Sequence, residues 1–175
     1  MSERARREFI PLNIAILVIS DSRDETTDKS GKLLAERLLS AGHKLHQKRI
    51  VADSISQIRD VVSSWIADIS VQAVITTGGT GVTGRDGTPE AVKPLFEKEI
   101  EGFGELFRYI SYLEIGTSSL QSRAIAGVAN GTYIFCLPGS AGACATGWDK
   151  LLSQQLDNRT RPCNLVELMP RLQET

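Results

Sequence analysis

Long apolar runs, paired cysteines and a charge imbalance are all missing from this sequence, and each absence removes a class of protein. The longest unbroken apolar stretches, such as Ile14 to Ile19, fall far short of the roughly 20 residues that a membrane-spanning helix needs. The three cysteines, Cys136, Cys144 and Cys163, are odd in number and lack the close paired spacing of zinc ligands. Neither a disulfide framework nor a metal cluster is expected, and a reducing compartment fits. A formal net charge of -1 and a pI near 6.1 leave no electrostatic footprint for a nucleic-acid backbone or an anionic membrane. Repeats, low-complexity stretches and interdomain linkers are also missing. The start, Met1 to Glu8, mixes Arg4, Arg6 and Arg7 with Glu3 and Glu8, and no apolar segment with a small-residue cleavage site follows. These features predict a soluble, cytoplasmic protein with a flexible N-terminal arm over residues 1–11 and a single domain over 12–175. At 175 residues the chain can bury roughly 70% of its unfolded surface.

What is present alternates between strands and helices. Leu12 to Ser20 is apolar and β-branched with little alternation, as suits a parallel strand covered on both faces. Thr26, Thr27 and Asp28 offer caps for a helix to about Ala41, stopped by Gly42. Leu45 to Ala52 reads as a second strand, and Ser54-Ile55-Ser56-Gln57 as a capping box for the amphipathic helix carrying Ile58, Val61, Val62, Trp65, Ile66 and Ile69. Val71 to Thr77 is the third strand. Thr88 as cap and Pro89 at the first helical position predict a helix to about Glu97. Phe103 to Ile115 and Ser118 to Ala126 are also expected to be helical. Asn130-Gly131 is a turn, Thr132 to Leu137 the fourth strand, and Pro138-Gly139-Ser140 opens a last helix reaching about Leu156. His43 and His46 have no acidic or cysteine partner nearby and read as packing or surface residues.

This order implies an α/β fold, a three-layer α/β/α sandwich around a largely parallel sheet. Ligands of such sheets collect outside the carboxyl ends of the strands. Each predicted strand ends usefully: Ser20-Asp21 after the first, Asp53 after the second, Thr77-Gly78-Gly79-Thr80-Gly81 after the third and Pro138-Gly139-Ser140 after the fourth. The glycines let backbone N–H groups face a concavity, and threonine hydroxyls suit phosphate oxygens. Asp86, a few residues on, would repel a bare phosphate and makes sense facing magnesium or a polar heterocycle. For Ser20 and Asp21 a turn or capping role stands beside ligand contact, and Ser140 can cap the last helix while also facing an anion. Neither G-x-x-x-x-G-K-[ST] nor G-x-G-x-x-G occurs where it would be needed.

The string TTGGTGVTGRDGTPEA, Thr76 to Ala91, resembles the signature of the MoaB/MogA family of molybdenum cofactor biosynthesis proteins. EGFGELFR, SLQSRAIAGV and LPGS follow it in the expected order, so the likeness covers nearly the whole chain. Glu114 to Ala129 and the ending QLDNRTRPCN resemble the MoaB branch. The resemblance implies the MogA-like domain and its reaction, adenylylation of molybdopterin with Mg-ATP and release of pyrophosphate. By that likeness Asp53 and Asp86 match the two functional aspartates, holding magnesium directly or through water. The glycine loop and Pro138-Gly139-Ser140 match segments that hold cofactor and phosphate, and Ser122-Arg123 a pair lining the same cleft. Positive potential is expected from magnesium, the amides of Gly78 to Gly81, the helix after Ser140, and Arg85 or Arg123. Where the enzymatic branch carries Pro-Asp-Glu, this chain has Ala52-Asp53-Ser54. The alternative is a noncatalytic carrier of molybdopterin or a precursor, or a scaffold for other enzymes of the pathway. A homo-oligomer, trimer or hexamer, is also implied, and the aromatic segment Phe103 to Tyr112 suggests a subunit contact.

Overall fold

The computed structural model describes residues 7–175. Alternation along its central strands decides the layering. In β1 (Asn13–Ile19) the side chains of Ile14, Ile16 and Val18 enter one core, while Ala15, Leu17 and Ile19 enter another on the opposite face. The first core is closed by Leu34 and Leu38 of α1 (Lys29–Ser40), the second by Ile58, Val61, Val62 and Trp65 of α2 (Ile55–Ala67). A strand buried on both faces has no solvated side, which is why its sequence is continuously apolar.

The remaining strands are β2 (Lys44–Val51), β3 (Ala73–Thr77), β4 (Lys98–Glu99), β5 (Ile125–Ala129) and β6 (Thr132–Leu137), in the spatial order β2-β1-β3-β6-β5-β4. The first four in that order are mutually parallel; β5 pairs antiparallel with β6, and β4 antiparallel with β5 at the far edge. Short α3 (Thr88–Val92) covers the same face as α2; α4 (Glu101–Ile115) and α5 (Ala141–Gly147) join α1 on the other. The three-layer sandwich is therefore as expected. Among the described residues no helix is long and apolar enough to cross a membrane.

Four local expectations are corrected. Ser118 to Ala126 is not a helix: a 3-10 segment, Gly116–Gln121, leads into β5, where pairing with β6 overrides the helical preference of alanine. At Gly127 the Phe96 ring occupies the space of a Cβ, so only glycine fits beneath it. The helix expected to Glu97 ends at Val92; a 3-10 turn, Lys93–Leu95, follows because Pro94 has no N–H to continue the ladder. Ser54 precedes α2 in extended conformation, but its hydroxyl meets Ser56 rather than closing a capping box. Thr88 is not a cap, since Gly87 holds that position and the Thr88 hydroxyl donates to the carbonyl of Gly78 at 2.8 Å.

Other expectations hold. Asp28 caps α1, accepting from Gly31 N–H at 2.7 Å. Ser140 caps α5, accepting from Ala143 N–H at 3.1 Å, and the helix runs on through a π turn, Trp148–Leu152, to Gln155. His43 is a packing residue, buried between Phe9 and Trp148 and accepting from Leu12 N–H. Of the arm expected over 1–11, residues 1–6 lie outside the described residues. Asn158 accepts from Ile10 N–H and donates to the Glu8 carbonyl, tying the later part of that segment to the domain.

Candidate functional site

From β1 the chain crosses to β2 on one side and then returns to β3 on the other, so the crossovers diverge between the carboxyl ends of β1 and β3. A crevice opens at such a switch point because the connections there leave in opposite directions. Here it is a cleft of about 520 Å³, walled by the turns after β1, β2, β3 and β6 and by α4 with the 3-10 segment after it.

The floor is the loop after β3. Gly78 and Gly79 have φ of +106° and +66°, in the left-handed region that side-chain-bearing residues rarely occupy. A Cβ on Gly78 would strike the Ile19 carbonyl, and one on Gly79 would lie 3.0 Å from Asp53 Oδ1 and collide with the Thr88 hydroxyl. The loop thus lies directly against the end of β1 and the Asp53 side chain. Its amides are not all available, contrary to expectation. Gly78 N–H is spent on the Leu137 carbonyl, whereas those of Gly79 and Thr80 have no acceptor among the described residues.

The two aspartates sit in contrasting surroundings. Asp86 Oδ2 accepts from the N–H and hydroxyl of Thr83 at 2.9 and 2.7 Å, and its backbone carbonyl accepts from Arg123 at 3.0 Å. Burial opposes its ionisation, but the Thr83 and Gly81 donors prevail and hold its carboxyl below the usual range. Asp53 receives no side-chain donor from the described residues. Burial pushes its carboxyl above the usual range, and the charges of Asp21 and Asp86 push it further, against the pull of Arg85. Both aspartates also border a second cavity of about 560 Å³, with Ser54, Ser56 and Arg85 on its far side.

Most residues singled out from the sequence meet at the cleft. Ser20, Gly78 to Gly81 and Ser122 line it with the two aspartates, and so do Pro138, Gly139 and Ser140. Three stand behind it. Thr77 is buried and donates to the Pro138 carbonyl at 2.9 Å, strapping the end of β3 to that of β6. Asp21 accepts from Arg85 at 2.8 and 2.9 Å and from Asp53 N–H at 3.0 Å, fixing the turn that carries Asp53; the Arg85 guanidinium holds its carboxyl below the usual range. Arg123 donates to the Gly81 and Asp86 carbonyls and pairs with Glu90, so it braces the glycine loop from outside. Arg85 and Arg123 are thus held by protein carboxylates and carbonyls, and Arg85 still acts on Asp53 through its charge.

Sequence reasoning missed Arg23, Ser111, Ser119 and Gln121, which also line the cleft. Ser119 and Gln121 sit in the SLQSR stretch and could have been found there. Ser111 carried no signal, being one serine inside an aromatic helix.

Magnesium fits these residues by donor chemistry. Hard cations take carboxylate oxygens, and magnesium in phosphate sites is held by one or two carboxylates together with the phosphates. Asp53, without a side-chain donor among the described residues and pressed by two other carboxylates, is a group that a cation would relieve. Among the described residues no group of three or more histidine, cysteine or acidic side chains is placed to hold a metal by itself.

Comparison with known proteins identifies the family. A family model described as a probable molybdopterin binding domain matches residues 15–158. The chain is 55% identical over 157 residues to Molybdenum cofactor biosynthesis protein B of Escherichia coli, covering 90% of this chain and 92% of that protein. A crystal structure of Molybdenum cofactor biosynthesis protein B superposes with a TM-score of 0.83 at 47% identity, covering 86% of this chain and 94% of the other. The tungsten cofactor synthesizing protein MoaB from Pyrococcus furiosus superposes with a TM-score of 0.74 at 37% identity, covering 82% and 92%.

Proposed function

This chain belongs to the MoaB branch of the MoaB/MogA family of molybdenum cofactor biosynthesis proteins, and from that premise we propose that it binds molybdopterin in the cleft and adenylylates it with Mg-ATP. The observation that carries the reading is Asp53: a carboxylate with no side-chain donor among the described residues, set against a glycine loop at the switch point and lining two cavities.

In the reaction an oxygen of the pterin's terminal phosphate attacks the α-phosphorus of ATP, a new P–O bond forms, and the bond to the departing pyrophosphate breaks. Magnesium, when bound, neutralises phosphate charge. Asp53 and Asp86 are the residues that would hold it, directly or through water. The attacking phosphate is already ionised near neutral pH, so no strong general base is required of the protein. Gly79 and Thr80 offer their N–H groups to nonbridging oxygens, and the loop geometry fixed by Arg123 and Thr88 orients them. Ser111, Ser119 and Gln121 supply hydrogen-bonding groups along the α4 wall for a polar heterocycle. The outer side of α4 and the segment after it expose Leu106, Tyr109, Tyr112, Leu113, Ile115 and Leu120, and a further copy of this chain is the occupant assigned to that face.

The test is incubation of the purified protein with molybdopterin and Mg-ATP. Adenylylated pterin and pyrophosphate are expected. Bound pterin with neither product would favour a carrier, a reading supported by Ser54 standing where the enzymatic branch has an acidic residue.

A further inference from the structure

The cleft is electrically divided. Asp53 and Asp86 enter from the turns leading to α2 and α3, on one face of the sheet; Arg23 enters from the turn leading to α1, on the other. Arg23 is the one cationic side chain lining the cleft among the described residues. It is half-buried and held in place by a single nitrogen: Nη1 donates to the Ser30 hydroxyl at 2.9 Å and to the Gly139 carbonyl at 2.8 Å.

That leaves the Nε and Nη2 edge without an acceptor among the described residues. It is the edge whose two parallel N–H groups match a pair of anionic oxygens. Elsewhere in this molecule the same edge grips a carboxylate: Arg85 on Asp21, Arg37 on Asp149 and Arg159 on Asp157 all use Nε together with Nη2. Arg23 lines the cleft together with Ser20, Ser22 and Ser140, its side chain anchored through Nη1.

We infer that Arg23 is the phosphate-binding residue of the cleft, gripping a phosphate group through Nε and Nη2 without help from a metal. This deepens the proposed function and rests on it for the identity of the ligand. The phosphate has two possible sources with the same chemistry, the terminal phosphate of the pterin and the β,γ-phosphates of the nucleotide. With the anion held by Arg23 and the cation by the aspartates, the ligand spans the sheet margin from one helix layer to the other.

The test uses inorganic pyrophosphate in the presence of a chelator, titrated calorimetrically into the full chain. Wild type is expected to bind, Arg23→Met to bind at least about tenfold more weakly, and Arg23→Lys to fall between them, as expected for loss of a charge-assisted pair. Asp53→Asn should bind metal-free pyrophosphate at least as tightly as wild type, because it removes a nearby negative charge. Repeating the titration with molybdopterin and with ATP assigns the source: the ligand whose affinity falls in Arg23→Met carries the phosphate that Arg23 holds. Should Arg23→Met fail to fold, phenylglyoxal labelling of wild type, mapped by mass spectrometry, takes its place. Pyrophosphate should protect Arg23 and leave Arg85 unprotected. Equal affinities of folded Arg23→Met and wild type for all three probes, unprotected Arg23, or no binding of any probe to wild type would each overturn the assignment. Loss of pyrophosphate affinity in Arg23→Met without any adenylylated pterin from wild type would sink the proposed reaction and leave this assignment standing.

Discussion

The turn after β2 and the loop after β3 each deliver one carboxylate to the same cleft, and they hold it in opposite ways. The loop satisfies its aspartate: the Thr83 N–H and hydroxyl both donate to Asp86, and Arg123 grips the carbonyls of Gly81 and Asp86. The turn positions Asp53 through its backbone, by way of Asp21 and Arg85, and gives its carboxylate no side-chain donor from the described residues. A satisfied carboxylate contributes to the fold. An unsatisfied one beside two like charges costs stability, and such a group is retained where a ligand supplies the missing positive charge. Asp86 is thus part scaffold and part site, while Asp53 serves the ligand.

The largest effect that would break this contrast comes from Asp86→Ala. Losing the acceptor for the N–H and hydroxyl of Thr83 should cost about 1 to 2 kcal/mol of stability in denaturant titrations and abolish turnover together with it. If stability were unchanged, Asp86 would not be a scaffold. The opposite is expected of Asp53→Asn, which removes the repulsion from Asp21 and Asp86: the melting temperature of the ligand-free protein should rise by about 1–3 °C.

Acidification sharpens the comparison because the two shifts have opposite signs. Asp53 titrates above its unfolded value, so its ionisation penalises the folded state at neutral pH, and the penalty fades as pH falls through its raised pKa. The advantage of Asp53→Asn over wild type should therefore shrink as pH falls through the raised pKa of Asp53 and vanish below the ordinary carboxylate range. Asp86 titrates below its unfolded value, so its stabilisation is full above the ordinary carboxylate range and is lost only as pH falls through its depressed pKa. Melting temperatures of wild type and both variants, from neutral pH down to below the ordinary carboxylate range, check both signs.

The smallest expected effect belongs to Arg85→Gln. Its pair with Asp21 is exposed, so stability should barely change. The guanidinium also favours ionised Asp53, so the acid limb of the activity profile should move upward in pH.

How much of this could be read from the sequence follows from the range of the interactions. The parallel half of the sheet was legible because strands buried on both faces need continuous apolar runs, as in Ile14 to Ile19, and because the turns that end those strands carry their own chemistry. The antiparallel edge was not. Ala124 to Ala129 has no pattern that separates strand from helix, and pairing with β6 decides it. Asp53 and Asp86 were legible as types and positions, but their contrast was not, since it depends on Thr83, Gly81, Asp21 and Arg85 meeting through the fold. Arg23 was invisible for the same reason: its side chain is aimed by Ser30 and by Gly139, 116 residues away.

The most direct measurement is turnover set against molybdopterin affinity for Asp53→Asn, with a circular dichroism spectrum confirming the native fold. Adenylylation should fall at least about 100-fold while molybdopterin binds nearly as tightly as to wild type. Full adenylylation by the folded variant would contradict the assignment of Asp53 to the metal-nucleotide.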